Sequence, residues 1–237
     1  MNVPKNRKEY VEWYYKLHSC PLDKEGKLVG TFLANNVSGR VLDCGCGPVP
    51  QVWALCMPRA TEISAIDVVE ESVAFVKANL ATRNQRLDKF SCYAKIAESA
   101  IGNLPEDYTD KQIDKIKSIG VADMAKHLPF NRGYFDTVLS LYSLGVLKDK
   151  RDLEHAIENI AGVLKRGGKL LHINSNGTNR NDVLPEYTWK GLPQATSVLK
   201  PILERHNFNN IEVSTFDVKS KSIYQYDKIY LLSAIKR

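Results

Sequence analysis

The chain has 237 residues, of which 43% are hydrophobic and 25% are charged, and its formal net charge is +6. This composition is ordinary for a soluble globular protein, and no apolar run approaches the roughly 18–20 residues that a membrane span requires. The N-terminal segment has a basic start without the apolar stretch of a secretory signal, so we expect a cytoplasmic protein. Lysine and arginine are spread along the chain and form no basic stripe, which argues against nucleic-acid binding.

Apolar strand-like segments alternate with amphipathic helical segments, a pattern typical of βαβ units around a mainly parallel sheet. We predict seven strands, at residues 40–44, 62–66, 116–122, 134–140, 169–174, 211–218 and 228–235. Helices are predicted at residues 69–80, 153–164 and 195–206, the second ending in the basic and glycine residues 165–168. Only nine residues separate the last two strands, too few for a crossover helix. The sequence therefore predicts an α/β fold with a Rossmann-like seven-stranded sheet, mostly parallel with the last strand antiparallel, and with helices on both faces.

Two additions to this layout are predicted to be helical, and residues 1–237 are interpreted as a single domain that includes both. Residues 1–39 precede the first strand and are expected to form an N-terminal helical lid rich in aromatic residues. Residues 86–115 are expected to form a helical insertion before the third strand. Open α/β sheets bind ligands at the carboxyl ends of their strands, so we expect both additions to lie there.

The first strand ends in a glycine-rich turn, Asp43-Cys44-Gly45-Cys46-Gly47-Pro48. Glycines at a strand end allow a tight turn and a close approach of the ligand to the backbone. The dinucleotide-binding motif has a third glycine where this chain has Pro50, and proline cannot provide the same close helix–strand packing. We therefore predict a cradle for a ligand without a pyrophosphate, such as S-adenosylmethionine (SAM). Its predicted binding residues are Asp43, Gly45, Gly47 and Pro48.

Acidic residues also follow the second and third strands. Asp67 can accept hydrogen bonds from both ribose hydroxyls, although a helix N-cap is an alternative role for it. Asp123 can accept a hydrogen bond from the adenine amine, although aspartate is also common in surface turns. Acids at three successive strand ends together indicate an adenosyl ligand. The other residues predicted to bind it flank these positions and the end of the fourth strand: Val68, Ser72, Ala122, Met124, Ser140, Leu141 and Tyr142.

Two other kinds of site are disfavoured. Cys44 and Cys46 form a close pair, but no second pair completes four zinc ligands, so we expect no metal and no disulfide framework. The fourth strand ends without the proline-containing turn that is usual in enzymes methylating nucleic-acid bases. His172 lies between apolar residues of the fifth strand and is interpreted as a packed histidine.

The chain resembles the small-molecule N-methyltransferase family that includes the nicotinamide, phenylethanolamine, indolethylamine and thioether methyltransferases. The most specific match is Tyr10-Val11-Glu12-Trp13-Tyr14-Tyr15-Lys16-Leu17, which is similar to the family's N-terminal lid. The resemblance implies a class I methyltransferase fold, SAM as cofactor, and a lid in which Tyr10 and Tyr15 close over the cofactor carboxylate and the reactive centre. In this chain Pro50-Gln51 replaces an aromatic residue after the cradle, and Asn174 replaces the acid that anchors amine acceptors. An amide cannot balance a cation, which argues against the usual amines.

Three functions are compatible with these residues. The leading hypothesis is a monomeric SAM-dependent methyltransferase that transfers a methyl group by in-line displacement to a nitrogen or sulfur atom of a small molecule. Its predicted catalytic residues are Tyr10, Tyr15, Asn174 and Tyr187, with Trp189 beside Tyr187. In the second hypothesis the α-amine of SAM attacks its own γ-carbon, which gives azetidine carboxylate and methylthioadenosine. The third is a non-catalytic module that binds SAM or RNA.

Overall fold

The computed structural model describes residues 6–17, 23–81, 90–175, 196–218 and 226–237. Within these ranges the strands are β1 (Gly39–Cys44), β2 (Ala60–Asp67), β3 (Ile116–Val121), β4 (Phe135–Leu141), β5 (Leu164–Ser175), β6 (Phe208–Asp217) and β7 (Lys228–Lys236). The helices are α1 (Arg7–Leu17), α2 (Lys24–Asn36), α3 (Pro50–Ala54), α4 (Glu70–Ala81), α5 (Ser91–Ile101), α6 (Tyr108–Ile113), α7 (Lys150–Val163) and α8 (Thr196–Arg205).

All seven strands belong to one sheet, in the order β3-β2-β1-β4-β5-β7-β6. The pairs among β1 to β5 are parallel, and β7 is antiparallel to both β5 and β6. The predicted sheet, with its antiparallel last strand, is therefore confirmed. The strand order reverses direction between β1 and β4, and open α/β sheets bind ligands at such a switch point.

The boundary between α7 and β5 differs from the prediction. Asp149 caps α7 by accepting two hydrogen bonds from backbone N–H groups of its first turn, and the helix ends at Val163. Leu164 is already extended, with φ −72° and ψ 140°, and it pairs with Phe135 of β4. Residues 165–168 therefore lie inside β5, in the stretch where its register against β4 shifts between the pairs Phe135–Leu164 and Thr137–Lys169.

The helical insertion contains α5 and α6, and α6 does not lie at the expected carboxyl edge. Tyr108 Oη donates to the carbonyl of Leu55 at 2.9 Å, and Gln112 Nε2 donates to the carbonyl of Met57 at 2.6 Å. Both carbonyls precede β2, so α6 packs at the end of the sheet where this strand begins. The expectation was wrong for α6 because a helix that leads directly into β3 has to lie near the start of that strand.

Apolar side chains cover both faces of the sheet. Val41 belongs to a core cluster with side chains of α1, α2 and α3, whereas its neighbour Leu42 packs with side chains of α7 and α8. Successive residues of a strand point to opposite faces, so helices on both faces enclose β1. Among the described helices, none is long and apolar enough to cross a membrane.

Candidate cofactor site

The turn that follows β1 lies at the switch point and is held to the end of β2. Gly45 and Gly47 both have positive φ, +76° and +58°. The backbone N–H groups of Gly45 and Cys46 donate to the carbonyl of Ile66 at 2.8 and 2.9 Å. The cradle is therefore fixed by the fold itself.

The two glycines of this turn are needed for different reasons. A Cβ atom on Gly45 would lie 2.3 Å from Ser143 Cβ and 3.4 Å from Met124 Cε, so the segment after β4 packs directly against this residue. A Cβ atom on Gly47 would meet only Tyr14 among the described residues, at 3.9 Å. Gly45 thus serves the packing of the strand ends, and Gly47 leaves room for a ligand over the turn.

Asp43 is a buried carboxylate without a hydrogen-bond partner among the residues that the structure describes. Its side chain is 1% exposed, and neither oxygen has a donor. Burial, and secondarily the charge of Asp67, raise the pKa of this carboxyl to about 7. A buried charge of this kind is costly unless a cation or a donor compensates it. A ligand with a positive group near the cradle would supply that compensation.

Asp67 joins the ends of β1 and β2 through both of its carboxylate oxygens. Oδ2 accepts the N–H of Gly47 at 2.7 Å, and Oδ1 accepts the N–H of Val69 at 2.8 Å. Burial raises the pKa of Asp67, and these backbone donors oppose the rise. A carboxylate offers about four lone-pair sites, so one further hydroxyl can bind to each oxygen. The predicted helix-capping role and the predicted ligand role are therefore compatible.

β2 and β3 are neighbours in the sheet, and an apolar side chain follows β2 where an acidic one follows β3. Val68, directly after β2, is 51% exposed, which is unusual for valine. Asp123, after β3, accepts the N–H of Ala125 at 2.9 Å through Oδ1, and its Oδ2 lies 3.6 Å from Lys126 Nζ. Met124 is buried, with its Cε against Gly45, so it lies beneath the cradle. Of these side chains, Val68 is the one best placed to cover an adenine ring.

Ser140, one of the residues predicted to bind the cofactor, makes hydrogen bonds within the protein. Ser140 is fully buried; its Oγ lies 2.9 Å from Ser143 Oγ and accepts the N–H of Leu144 at 3.0 Å. His172 Nδ1 lies 3.0 Å from the carbonyl of Ser140, as expected for a packed histidine. Ser143 Oγ donates to the carbonyl of Cys44, which closes the contact between β4 and the cradle. Buried or half-buried neighbours at the same edge are Ser72, Leu141 and Ala122.

A carboxylate that the sequence analysis missed lies beside the end of β4. Tyr142 follows β4 with a positive φ of +62°, and its hydroxyl donates to Glu25 in the first turn of α2. Tyr226, just before β7, donates to the same carboxylate. Glu25 is half-buried. No local pattern distinguishes it in the sequence, because its partners are 117 and 201 residues away.

Some aromatic side chains of α1 lie at the cradle, and others pack in the core. Tyr14 is the one next to Gly47, and its ring lies 5.7 Å from that of Tyr10. Tyr15, predicted to close over the cofactor, is 6% exposed and packs edge-on against Phe75 and Phe90, at 5.2 and 5.4 Å between ring centroids. Neighbouring residues of a helix point about 100° apart, so the lid directs Tyr14 to the cradle and Tyr15 to the core.

Asn174 is buried near the end of β5, where it pairs with Tyr230 of β7. It lies beside the end of β4, because the N–H of Tyr142 donates to the carbonyl of Ile173 at 2.8 Å. The structure therefore brings Asn174 and Tyr142 together. The loop that contains Tyr187 and Trp189 lies outside the described residues.

The cysteines do not form a metal site in the part of the chain that the structure describes. No group of three or more potential metal-binding side chains is found there. Burial and the nearby charge of Asp43 raise the pKa of the free thiols of Cys44 and Cys46. Cys92 of α5 is disulfide-bonded, with a partner outside the described residues. This bond was not expected, because the scattered spacing of the cysteines gives no sign of which ones the fold brings together.

Comparisons with known proteins agree with this architecture. The family model of a methyltransferase domain matches residues 109–172, about a quarter of the chain, from α6 to β5. No curated protein matches the sequence.

Solved structures match the chain over nearly its whole length. The N-methyltransferase NodS from Bradyrhizobium japonicum, solved with S-adenosylhomocysteine, is 15% identical with a TM-score of 0.60, and 98% of this chain and 99% of that chain are covered. The [4+2]-cyclase SpnF is 16% identical with a TM-score of 0.57, covering 100% and 98%. A SAM-dependent methyltransferase from Methanosarcina mazei is 17% identical with a TM-score of 0.56, covering 83% and 92%. The chain has the class I methyltransferase fold.

Proposed function

We propose that this chain binds SAM at the cradle and transfers its methyl group to a small-molecule acceptor. The observation that carries the proposal is the placement of Asp43, Asp67 and Asp123 at the ends of the neighbouring strands β1, β2 and β3, with Asp67 bonded to Gly47 of the cradle. The matched methyltransferase domain and the fold support the same assignment. The likeness of NodS, an N-methyltransferase, favours nitrogen as the acceptor atom.

The residues present fit each part of the SAM molecule. The ammonium group of its amino-acid end would offset the unpartnered charge of Asp43, directly or through water. The free lone pairs of Asp67 would accept the ribose hydroxyls, and the exposed side chain of Val68 would cover the adenine ring. Asp123 would accept the adenine amine, as the sequence analysis predicts.

SAM supplies an electrophilic methyl group on a sulfonium, so the protein has mainly to align the reacting atoms and exclude water. Orientation of this kind can lower a barrier by roughly 7–11 kcal/mol. We propose that Tyr14 and Tyr10 of the N-terminal lid attract the sulfonium through their ring faces. The acceptor would then lie beside Tyr142 and Asn174, with Tyr187 of the following loop as a further proposed contact.

A second candidate function is cyclisation of SAM itself. The neutral side chain of Asn174 favours it, because no acid anchors an acceptor amine at the end of β5. The [4+2]-cyclase SpnF also has this fold, so at least one reaction other than methyl transfer is carried out by a protein of this fold. In this alternative the α-amine of SAM is the nucleophile and methylthioadenosine is released.

Mass spectrometry of the reaction products distinguishes the two candidates. The protein is incubated with SAM alone and with SAM plus a panel of small amines and thiols. Formation of S-adenosylhomocysteine that requires an added acceptor supports methyl transfer, and methylthioadenosine from SAM alone supports cyclisation. Tight SAM binding without turnover in either incubation would instead indicate a non-catalytic module.

A further inference from the structure

Glu25 and two tyrosines form a polar cluster beside the cradle that neither the fold nor the cofactor accounts for. The hydroxyls of Tyr142 and Tyr226 both donate to the Glu25 carboxylate. Glu25 lies in the first turn of α2, where the helix dipole also stabilises negative charge. Burial and the charge of Glu25 raise the pKa of Tyr142 well above its ordinary value, so this phenol stays protonated and remains a donor. The Glu25 carboxylate is thus held in place by two phenol hydroxyls at the start of α2.

Tyr142 joins this carboxylate to the end of β4, where the next residue, Ser143, packs against Gly45 of the cradle. Tyr14 lies next to Gly47, and Tyr14 and Tyr142 pack against the same core cluster. Tyr142 in turn contacts Glu25 and lies beside Asn174 at the end of β5. Tyr142 and Ser143 therefore connect the cradle to Glu25 through the end of β4.

We propose, as a refinement that rests on the proposed function, that Glu25 is the acceptor-side anion and that the acceptor is an amine. When an amine attacks, its lone pair forms the N–C bond, the C–S bond breaks, and its electron pair stays on sulfur. The positive charge consequently moves from sulfur to nitrogen, and the product ammonium then releases a proton to water. A fixed anion beside the nitrogen stabilises the transition state more than the ground state, because charge moves toward it. Glu25 thus supplies from α2 the charge that Asn174 cannot supply from β5.

The test measures methyl transfer from SAM to pairs of amines and thiols that share one carbon skeleton, such as benzylamine and phenylmethanethiol. The wild type, Glu25→Gln and the control Glu154→Gln are compared; Glu154 is partly exposed and pairs with Arg205. We expect Glu25→Gln to lower kcat/KM for amines about 10- to 100-fold, in the range of lost electrostatic groups. Thiolate acceptors lose negative charge in the reaction, so their rates should be unchanged or higher. Glu154→Gln should match the wild type.

The ratio of amine to thiol rates separates an electrostatic role from a structural one, since a damaged site lowers both rates equally. The proposal would be overturned if Glu25→Gln lowered the amine and thiol rates equally, so that their ratio did not change. It would also be overturned if the wild type did not turn over amines.

Calorimetric titration with S-adenosylhomocysteine keeps the two proposals apart. Unchanged binding in Glu25→Gln shows that the cradle is intact, whereas no binding by the wild type would contradict the proposed function itself. If Glu25→Gln does not fold, Glu25→Asp retains the charge but moves it by one methylene, and it should give an intermediate amine-to-thiol ratio. A loss of amine and thiol turnover by the same factor in Glu25→Asp would then count against the proposal.

Discussion

The backbone N–H of Gly47 donates a 2.7 Å hydrogen bond to Oδ2 of Asp67. This bond connects the turn after β1 to the end of β2, so the residue proposed to bind the ribose also shapes the proposed amino-acid site. The turn and Asp67 are therefore arranged before the cofactor arrives. Because these groups are already in place, less of the binding free energy is lost in ordering them.

Substitution of Gly45 should destabilise the fold more than substitution of a glycine that also has a positive φ but lies in open surroundings. Gly45→Ala places a Cβ atom 2.3 Å from Ser143 Cβ, whereas Gly102, with φ +87°, has no neighbour within 4 Å. We expect Gly102→Ala to cost about 1–3 kcal/mol from its backbone conformation alone. Gly45→Ala should cost about 1–3 kcal/mol more from overpacking. Urea unfolding followed by circular dichroism measures both, and equal losses would show that the Ser143 contact is unimportant.

Asp43 should make the folded state less stable as the pH rises from about 4 to about 7. Its pKa is raised from 3.8 to about 7 by burial and by Asp67, so the native state holds the proton over this interval while the unfolded chain has lost it. The contribution of Asp43 to the free energy of unfolding is therefore fully present below pH 4, and it is lost as the pH rises through 7. At about 1.4 kcal/mol per pKa unit, the change is at most about 4 kcal/mol.

Asp43→Asn is the matched variant for this pH dependence, because the amide is similar in shape and does not titrate. Its free energy of unfolding, subtracted from that of the wild type at each pH, should reveal the loss between pH 4 and 7. Parallel curves for the two proteins would mean that the carboxylate is compensated in the native state.

Tyr14 and Tyr15 should respond differently to truncation, although they are adjacent in sequence. Tyr14→Ala removes the ring beside Gly47 and should weaken binding of S-adenosylhomocysteine by about tenfold, the value of a contact of about 1.4 kcal/mol. Tyr15→Ala removes a ring packed against Phe75 and Phe90 and should lower stability by about 3–5 kcal/mol. Calorimetric titration measures the binding of S-adenosylhomocysteine by both variants, and thermal unfolding measures their stability. Weaker binding by a stable Tyr15→Ala protein would support the role of Tyr15 at the cofactor that the sequence predicts.

The sequence predicted the sheet well, because alternating apolar and amphipathic segments report directly on burial. It also located Asp43, Gly45, Gly47 and Asp67, since these residues sit in a local pattern at strand ends. Two features could not be predicted in the same way. The choice of Tyr14 over Tyr15 depends on how α1 is rotated against its neighbours. The cluster around Glu25 joins α2 to Tyr142 and Tyr226 through tertiary contacts that leave no periodic signal.

The most direct test of the central claim is calorimetric titration of the wild type and Asp67→Asn with S-adenosylhomocysteine. The control is Asp107→Asn. Asp107 is exposed and, among the described contacts, pairs only with Lys111, in an i,i+4 ion pair. Hydrogen bonds to a charged group contribute about 1.5–3 kcal/mol, so Asp67→Asn should bind about 10- to 100-fold more weakly. Asp107→Asn should bind like the wild type. Absence of binding by the wild type, or equal affinity in Asp67→Asn, would contradict the assignment of this edge of the sheet as a SAM site.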